Sequence, residues 1–425
     1  MPLGIAHLLL LSIAALSILL MLIRPRNIPE VYWVGSGAIL LVLLRLIPLG
    51  LAGRAVARGS DVYLFLTGMM LLSELARENG VFDWLAASAL RSARGSSARL
   101  FGLIYAIGTA VTVAMSNDAT AVVLTPAILA AVRRAKVAPL PYLFACAMIA
   151  NAASFVLPIS NPANLVVFHS GMPTLGRWLA AFLVPSILSI LVTYLVLRLY
   201  FRSDLRAGID APTAETRLDP NGKLVLAGLA LVVLVLLVSS QLNLTLGLPT
   251  FLAALAITAV ITIRRKINPL SLLKEISWTT LALVAALFVL VDAVESVGAL
   301  RIAQSALARV QQMPPATGAM LTAFAVGIGN NLINNLPLGL IAGSTLAAAH
   351  AHGLIAHAVL IGVDLGPNLS VTGSLATILW LIALRKEGLN VTFTDFLKVG
   401  ALAMPFALLV SIAAAIAQQS LFGSH

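Results

Sequence analysis

Cysteine is all but absent from this chain. Cys146 stands alone among 425 residues, which excludes an internal disulfide and any metal site built from several thiolates. Charge is scarce as well, with Asp, Glu, Lys and Arg together only 10% of the residues. No polar segment is long enough to stand alone as a water-soluble domain. The patterns GxSxG, HExxH and Walker A are missing, as is the Gly-Asp pair of intramembrane aspartyl proteases. An enzyme is therefore not expected, and no cofactor is implied.

What the chain has in abundance is apolar sequence. It is 60% hydrophobic, with a mean hydropathy of +1.01. Apolar runs of 18 residues or more recur from end to end without the period-two alternation of barrel strands, which predicts an all-α polytopic membrane protein. Spans are expected at roughly 3–23, 28–48, 61–79, 139–171 (interrupted) and 177–200, then 223–240, 246–264, 278–297, 355–384 (interrupted) and 394–417. The first run lacks a basic leader and a small-residue cleavage site, so it reads as a span and not as a signal peptide. The net charge of +11 does not point to nucleic acid, because the basic residues sit in short loops between spans.

Two polar runs interrupt apolar stretches: Ser116-Asn117-Asp118 and Asn334-Asn335. Position 335 follows 118 by 217, and the same spacing recurs elsewhere. Trp278 follows Ser60, Asp292 follows Glu74 and Gly298 follows Gly80, each by 218. The chain therefore reads as two repeats, 1–201 and 223–425, joined by a polar linker at 202–222. Each repeat holds about five crossings, one of them broken, plus a re-entrant hairpin (98–134 and 316–352). Five is odd, so the second repeat is expected to be inverted. This layout puts 21 of the 27 Lys and Arg on one side and leaves six on the other: Arg45, Arg54, Arg58, Arg177, Arg301 and Arg309. The positive-inside rule makes the richer side, linker included, cytoplasmic in a cell (inner) membrane, with both termini outside.

Buried Asn and Asp are costly in hydrocarbon, so a functional reading of the hairpin tips is the default. A carboxyl group poorly reached by water is more readily protonated, which makes Asp118 the first candidate for proton coupling. Capping of helix ends by Ser116, Asn117 and Asp118 is the plainer alternative. Pro158 and Pro162 break the fourth span around Ser160, Asn161 and Asn164. In the second repeat the break falls at DLGPNLSVTGSLAT, after Asp364, and includes Gly373 and Ser374. Unwound backbone at membrane depth is tolerated against protein or a wet cavity, so both tips and both breaks should meet at one site. Asp364 is balanced between a proton site and a capping role. Glu74 and Asp292 are expected in structural ion pairs. His350, His352 and His357 are expected to be ordinary solvated side chains. No Lys or Arg falls at the expected site, which suits a small neutral polyhydroxy solute or a cation better than a multiply charged anion.

The stretches SNDATAVVLTP, SNPANLV, NNLPLGL and above all GVDLGPNLSVTGSLATILWL resemble the arsenical pump membrane subunit family. These are the arsenite/antimonite efflux permeases of the ion transporter superfamily. The resemblance runs from about residue 60 to the C-terminus. It implies two inverted repeats with re-entrant hairpins. It also implies export of arsenite and antimonite, as As(OH)3 and Sb(OH)3, in exchange for H+ or, with a cytosolic arsenite-stimulated ATPase as partner, at the expense of ATP. A homodimer through the scaffold spans follows by superfamily analogy. Carried over by position, Asn117 and Asp118 match the first tip, and Asn334 and Asn335 the second. Asp364, Gly366, Pro367 and Gly373 to Thr377 match the second break. The chain departs from the family pattern at Ala119, where Gly is usual, at Asn151, where Asp is usual, and at Asn368, where Lys is usual. Joint loss of that acid and that base suggests that the two positions pair. Two rival readings stand beside an arsenite exporter: a sodium/proton antiporter or sodium-coupled carrier of the same superfamily, and a channel for small neutral solutes.

Overall fold

Proline, glycine and short polar side chains cut the apolar sequence into helices of unequal length. The computed structural model describes residues 3–206, 208–209, 217–266, 272, 274 and 276–422. The middle of the expected linker, 210–216, lies outside the described residues. Among the described residues the chain is all-helical, and eight helices are long and apolar enough to cross a membrane. A ninth arises if the bent pair Leu49–Arg58 and Ser60–Glu78, 47° apart, counts as one span.

Helix starts recur at one spacing. Pro220 follows Leu3, and Gly247 follows Glu30, each by 217; Trp278 follows Ser60, Pro315 follows Ser97 and Phe393 follows Leu175, each by 218. The halves interlock. Helix Ser60–Glu78 packs on Gly247–Arg265 from the other half, and Glu30–Leu43 packs on Trp278–Ser296. Helix Leu175–Tyr200 lies along Phe393–Phe422. Leucines such as Leu8, Leu19, Leu195 and Leu252 are half or more exposed and form an apolar outer surface that suits lipid.

Helical hairpins stand where the re-entrant ones were expected. The first has arms Ser97–Ala114 and Thr125–Arg134, with a π-helical turn at Ala119–Leu124 just past its tip; the second has arms Pro315–Ile333 and Asn335–Ala348. The expected broken spans are Leu140–Ala152 with Pro162–Val167, and Leu354–Leu365 with Leu375–Lys386. Three amphipathic helices were not expected: Leu49–Arg58, Val81–Ser92 and Arg301–Gln311. Their mixed composition reads as loop, and they fold because one narrow stripe finds an apolar surface.

The second hairpin seats against the short helix after the first break. At Gly343 an added Cβ would press on the Val167 carbonyl oxygen and stand 3.0 Å from the Val167 carbonyl carbon. Backbone cannot swing aside as a side chain can. Gly343→Ala is expected to destabilise the fold by about 1–3 kcal/mol, read as earlier unfolding in detergent. An unchanged unfolding midpoint would show that the hairpin is not seated there.

Candidate functional site

Each hairpin tip is tied by one backbone bond to the break of its own half. The Asn117 N–H donates to the Ser160 carbonyl (3.0 Å), and the Asn335 N–H donates to the Gly373 carbonyl (2.9 Å). The breaks exist because their ends are capped. Asn161 Oδ1 accepts from the Ala163 N–H (3.0 Å) to start helix Pro162–Val167, and Ser374 Oγ accepts from the Thr377 N–H (3.2 Å) to start helix Leu375–Lys386. Ser116 Oγ accepts from the Ala119 N–H (3.3 Å) at the first tip. Asn334 caps the second tip through Leu336 N–H (3.4 Å). It does so at φ 80 and ψ 151, a region nearly reserved for glycine. The bond from Asn334 Nδ2 to the Thr372 carbonyl (3.3 Å) helps hold it there.

Side-chain amides then join the halves. Asn161 Nδ2 donates to Asp364 Oδ1 (2.7 Å), and Asp364 is fully buried. Its second oxygen, Oδ2, has no hydrogen-bond partner among the described residues. One turn on, Asn151 Nδ2 donates to Asn368 Oδ1 (2.9 Å), and Asn368 Nδ2 donates to the Met148 carbonyl (3.0 Å). The two positions singled out as a suspected pair are thus in direct contact. Asn161→Ala would remove a helix cap and, among the described residues, the only hydrogen bond of a buried carboxyl group. A loss of about 2–4 kcal/mol is expected, measured by unfolding in detergent. A loss of a few tenths would show that neither bond matters.

Two adjoining cavities meet at Asp118. The smaller one, about 20 Å³, is lined by Asn117, Asp118, Asn161, Thr280, Asn335 and Ser374 among others, and by no Lys or Arg. The wider one, about 290 Å³, opens past Asp118 and Ser116 toward Ser73, Glu74, Arg77 and Ser277. A third, about 380 Å³, lies by Arg58, Asp61 and His169. Asp61 and Arg77 stand near opposite ends of one helix, about 24 Å apart at 1.5 Å per residue, so the second and third cavities enter from opposite ends of that helix. Asp118 is the one titratable residue common to the two cavities that meet at the tips. Its carboxylate has no hydrogen bond or ion pair within the described residues; its backbone N–H is engaged by Asn117 Oδ1 (2.9 Å).

Of the expected site residues, Ser116, Asn117, Asp118, Asn161, Asn335 and Ser374 line these two joined cavities. Ser160, Asn164, Asn334, Gly373 and Asp364 line neither. Asn164 staples the first break by donating to the carbonyls of Ser154 (2.9 Å), Leu157 and Pro158 (both 3.3 Å). Gly373 is needed because a Cβ there would overlap Pro367 Cα. Glu74 pairs with Arg77, and Asp292 with Arg58 (2.9 Å). His350 and His352 are exposed, whereas His357 is half-buried and packs edge-on to the Phe182 ring at 5.1 Å, against the expectation that it is solvated.

Sequence reasoning missed Asn330 and Asn331. Asn330 Nδ2 donates to the Gly362 (2.8 Å) and Val363 (2.9 Å) carbonyls, and Asn331 Oδ1 accepts from Ser370 Oγ (2.7 Å). They clamp the second hairpin to the second break. The signal was available: a second Asn pair stands one turn before the tip. Thr280 was missed as well, because one threonine in an apolar span carries no signal.

Comparison with known proteins gives a consistent picture. Residues 4–364 match the family model described as Citrate transporter. An arsenical pump membrane protein of Escherichia coli K12 is 28% identical over 369 residues, covering 81% of this chain and 83% of its own. A second Escherichia coli arsenical pump membrane protein is 26% identical over 422 residues, covering 95% and 97%. A putative arsenical pump membrane protein of Bacillus subtilis is 22% identical, covering 92% and 94%. The crystal structure of the Alcanivorax borkumensis YdaH transporter superposes with a TM-score of 0.59 at 14% identity, covering 88% of both chains.

Proposed function

The chain belongs to the Citrate transporter family, and from that premise we propose that it exports arsenite and antimonite in exchange for protons by alternating access. The observation that carries this reading is the polar part of the smaller cavity's lining: amides, hydroxyls and one carboxylate, without a cation, beside apolar residues such as Leu66 and Leu336. A tricarboxylate entering there would leave several negative charges unpaired in a site poor in water. As(OH)3 is uncharged at neutral pH, and its three hydroxyls can both donate and accept. Thiols would hold it too tightly for turnover, and the single thiol, Cys146, is fully buried elsewhere.

In this reading residues 1–201 and 223–425 are inverted repeats, the hairpins are re-entrant, and the polar stretch 202–222 is a cytoplasmic linker. The Arg77 side, rich in Lys and Arg, faces the cytoplasm of the inner membrane, so the wide cavity is open inward. As(OH)3 enters while Asp118 is ionised. Ser116, Asn117, Asn161, Asn335 and Ser374 bind its hydroxyls, while Ser160, Asn164, Asn334 and Gly373 fix the backbone around it. Hairpins and breaks then move against the scaffold helices and open the Arg58 side. A proton from outside neutralises Asp118, releases the solute and resets the carrier. Asp364, tied to Asn161, is the second proton carrier. Exchange of a neutral solute for a proton draws on the membrane potential, about 2.3 kcal/mol per charge per 100 mV. A homodimer and an arsenite-stimulated ATPase partner belong to the same proposal.

The test is arsenite uptake by everted membrane vesicles with an acid interior. Uphill uptake that collapses with a protonophore and ignores sodium is the expected result. The second reading, a sodium-coupled carrier, is favoured by the unpartnered Asp364 Oδ2, an oxygen that suits Na+ as well as a proton. Uptake that requires sodium would establish it in place of proton exchange.

A further inference from the structure

We propose that the groove between helix Arg301–Gln311 and the second hairpin is a phospholipid site that takes one acyl chain, with the headgroup phosphate held by Arg309. The groove encloses about 360 Å³ and is lined by Ala303, Ala306, Leu307, Leu321, Ile341 and Leu346 among others. Its only hydroxyls are spent internally: Thr322 Oγ1 donates to the Gly318 carbonyl (2.8 Å), and Thr345 Oγ1 to the Ile341 carbonyl (2.7 Å). The walls therefore offer a ligand no free hydrogen-bond donor, and hydrocarbon is the chemistry that fits. Leu321 is 50% exposed, so the groove opens onto the apolar outer surface.

The helix that roofs the groove is amphipathic and short, the form that lies in a membrane interface. It buries only Leu307, whereas its counterpart Val81–Ser92 buries Val81, Phe82, Ala86, Ala89 and Leu90 against its own hairpin. The second-half helix is thus under-packed where the first-half helix is filled. Arg301 and Arg309 are exposed and make no ion pair among the described residues. They stand about 12 Å apart along the helix. They are also two of only six basic residues on the sparsely basic side, where cations are disfavoured unless something holds them. A lipid phosphate supplies that partner to Arg309. Because the groove wall is the second hairpin itself, the bound chain would fill space that changes when the hairpin moves.

Native mass spectrometry of the purified full chain, relipidated with phosphatidylglycerol or phosphatidylcholine and then washed with detergent, tests this. One retained phospholipid per chain is expected. Ala306→Phe and Ala303→Phe, which fill the groove from the exposed helix, should each weaken retention about tenfold while the unfolding midpoint holds. Arg309→Gln should weaken retention of either lipid, because the phosphate is common to both. Equal retention by wild type and both filled variants would overturn the site. So would a mass of two chains that the filled variants dissociate, since a second copy would then occupy the groove.

Discussion

Asp118→Asn should reduce uphill arsenite uptake to the level of vesicles that lack the protein. The carboxylate lies where the two cavities meet, and no described side chain neutralises or engages it. Asparagine has nearly the same shape and can still bind a hydroxylated solute, but it cannot take up a proton. The variant should therefore keep downhill, pH-independent passage of As(OH)3 while losing all response to an imposed proton gradient. Asp118→Glu, which keeps the acid one methylene out of place, should retain a fraction of the coupled flux. Purified yield and unfolding midpoint should match wild type, because the lost group makes no structural bond. Wild-type uphill uptake by Asp118→Asn would remove this residue from the coupling mechanism and leave Asp364 to carry it.

How much of this was legible beforehand depends on which physical signal each part leaves in a sequence. The tips were legible because Asn117, Asp118, Asn334 and Asn335 interrupt apolar runs, where a polar residue is expensive and must have a purpose. The breaks were legible because Pro158, Pro162 and Pro367 each remove a backbone donor in a cluster of Asn, Ser or Gly, whereas Pro185 and Pro405, flanked by apolar residues and one serine, stay inside helices. Spacing alone said that tips and breaks recur, and the helix starts recur at the same 217 or 218 residues. What did not show was division of labour within each polar cluster. Asn161 and Asn164 are three residues apart and look alike, yet one lines the cavity and the other bonds three backbone carbonyls away from it. That difference is set by which way the unwound backbone turns, and no local pattern encodes it. The helix Arg301–Gln311 failed for the opposite reason. Its stripe is so thin, with only Leu307 buried, that it resembles a loop until the hairpin beneath it is in place.

The second large effect is expected at the pair that joins the halves. Asn368→Lys alone should cripple the protein, and Asn151→Asp together with Asn368→Lys should restore much of it. Both asparagines are at most 1% exposed, and the 2.9 Å bond between them shows that side chains at these two positions reach one another. A lysine at 368 would lose the bond from Asn368 Nδ2 to the Met148 carbonyl and set a cation against the Asn151 amide, which cannot neutralise it. An uncompensated buried charge costs about 3–5 kcal/mol, a large part of the stability of most folds. An aspartate at 151 faces that lysine directly. It turns an isolated charge into a pair, which is far less costly than one buried charge left without its partner. The double-mutant cycle should therefore show favourable coupling of about 2–4 kcal/mol in detergent unfolding, with transport following the same order. The sequence argument rested on two of the three departures from the family pattern, 217 positions apart; the structure adds that these two side chains meet. Equal stability and equal transport in the single and double variants would mean that water or a rotated lysine reaches position 368. In that case the amide pair would be ordinary packing and not the neutral remnant of an ion pair.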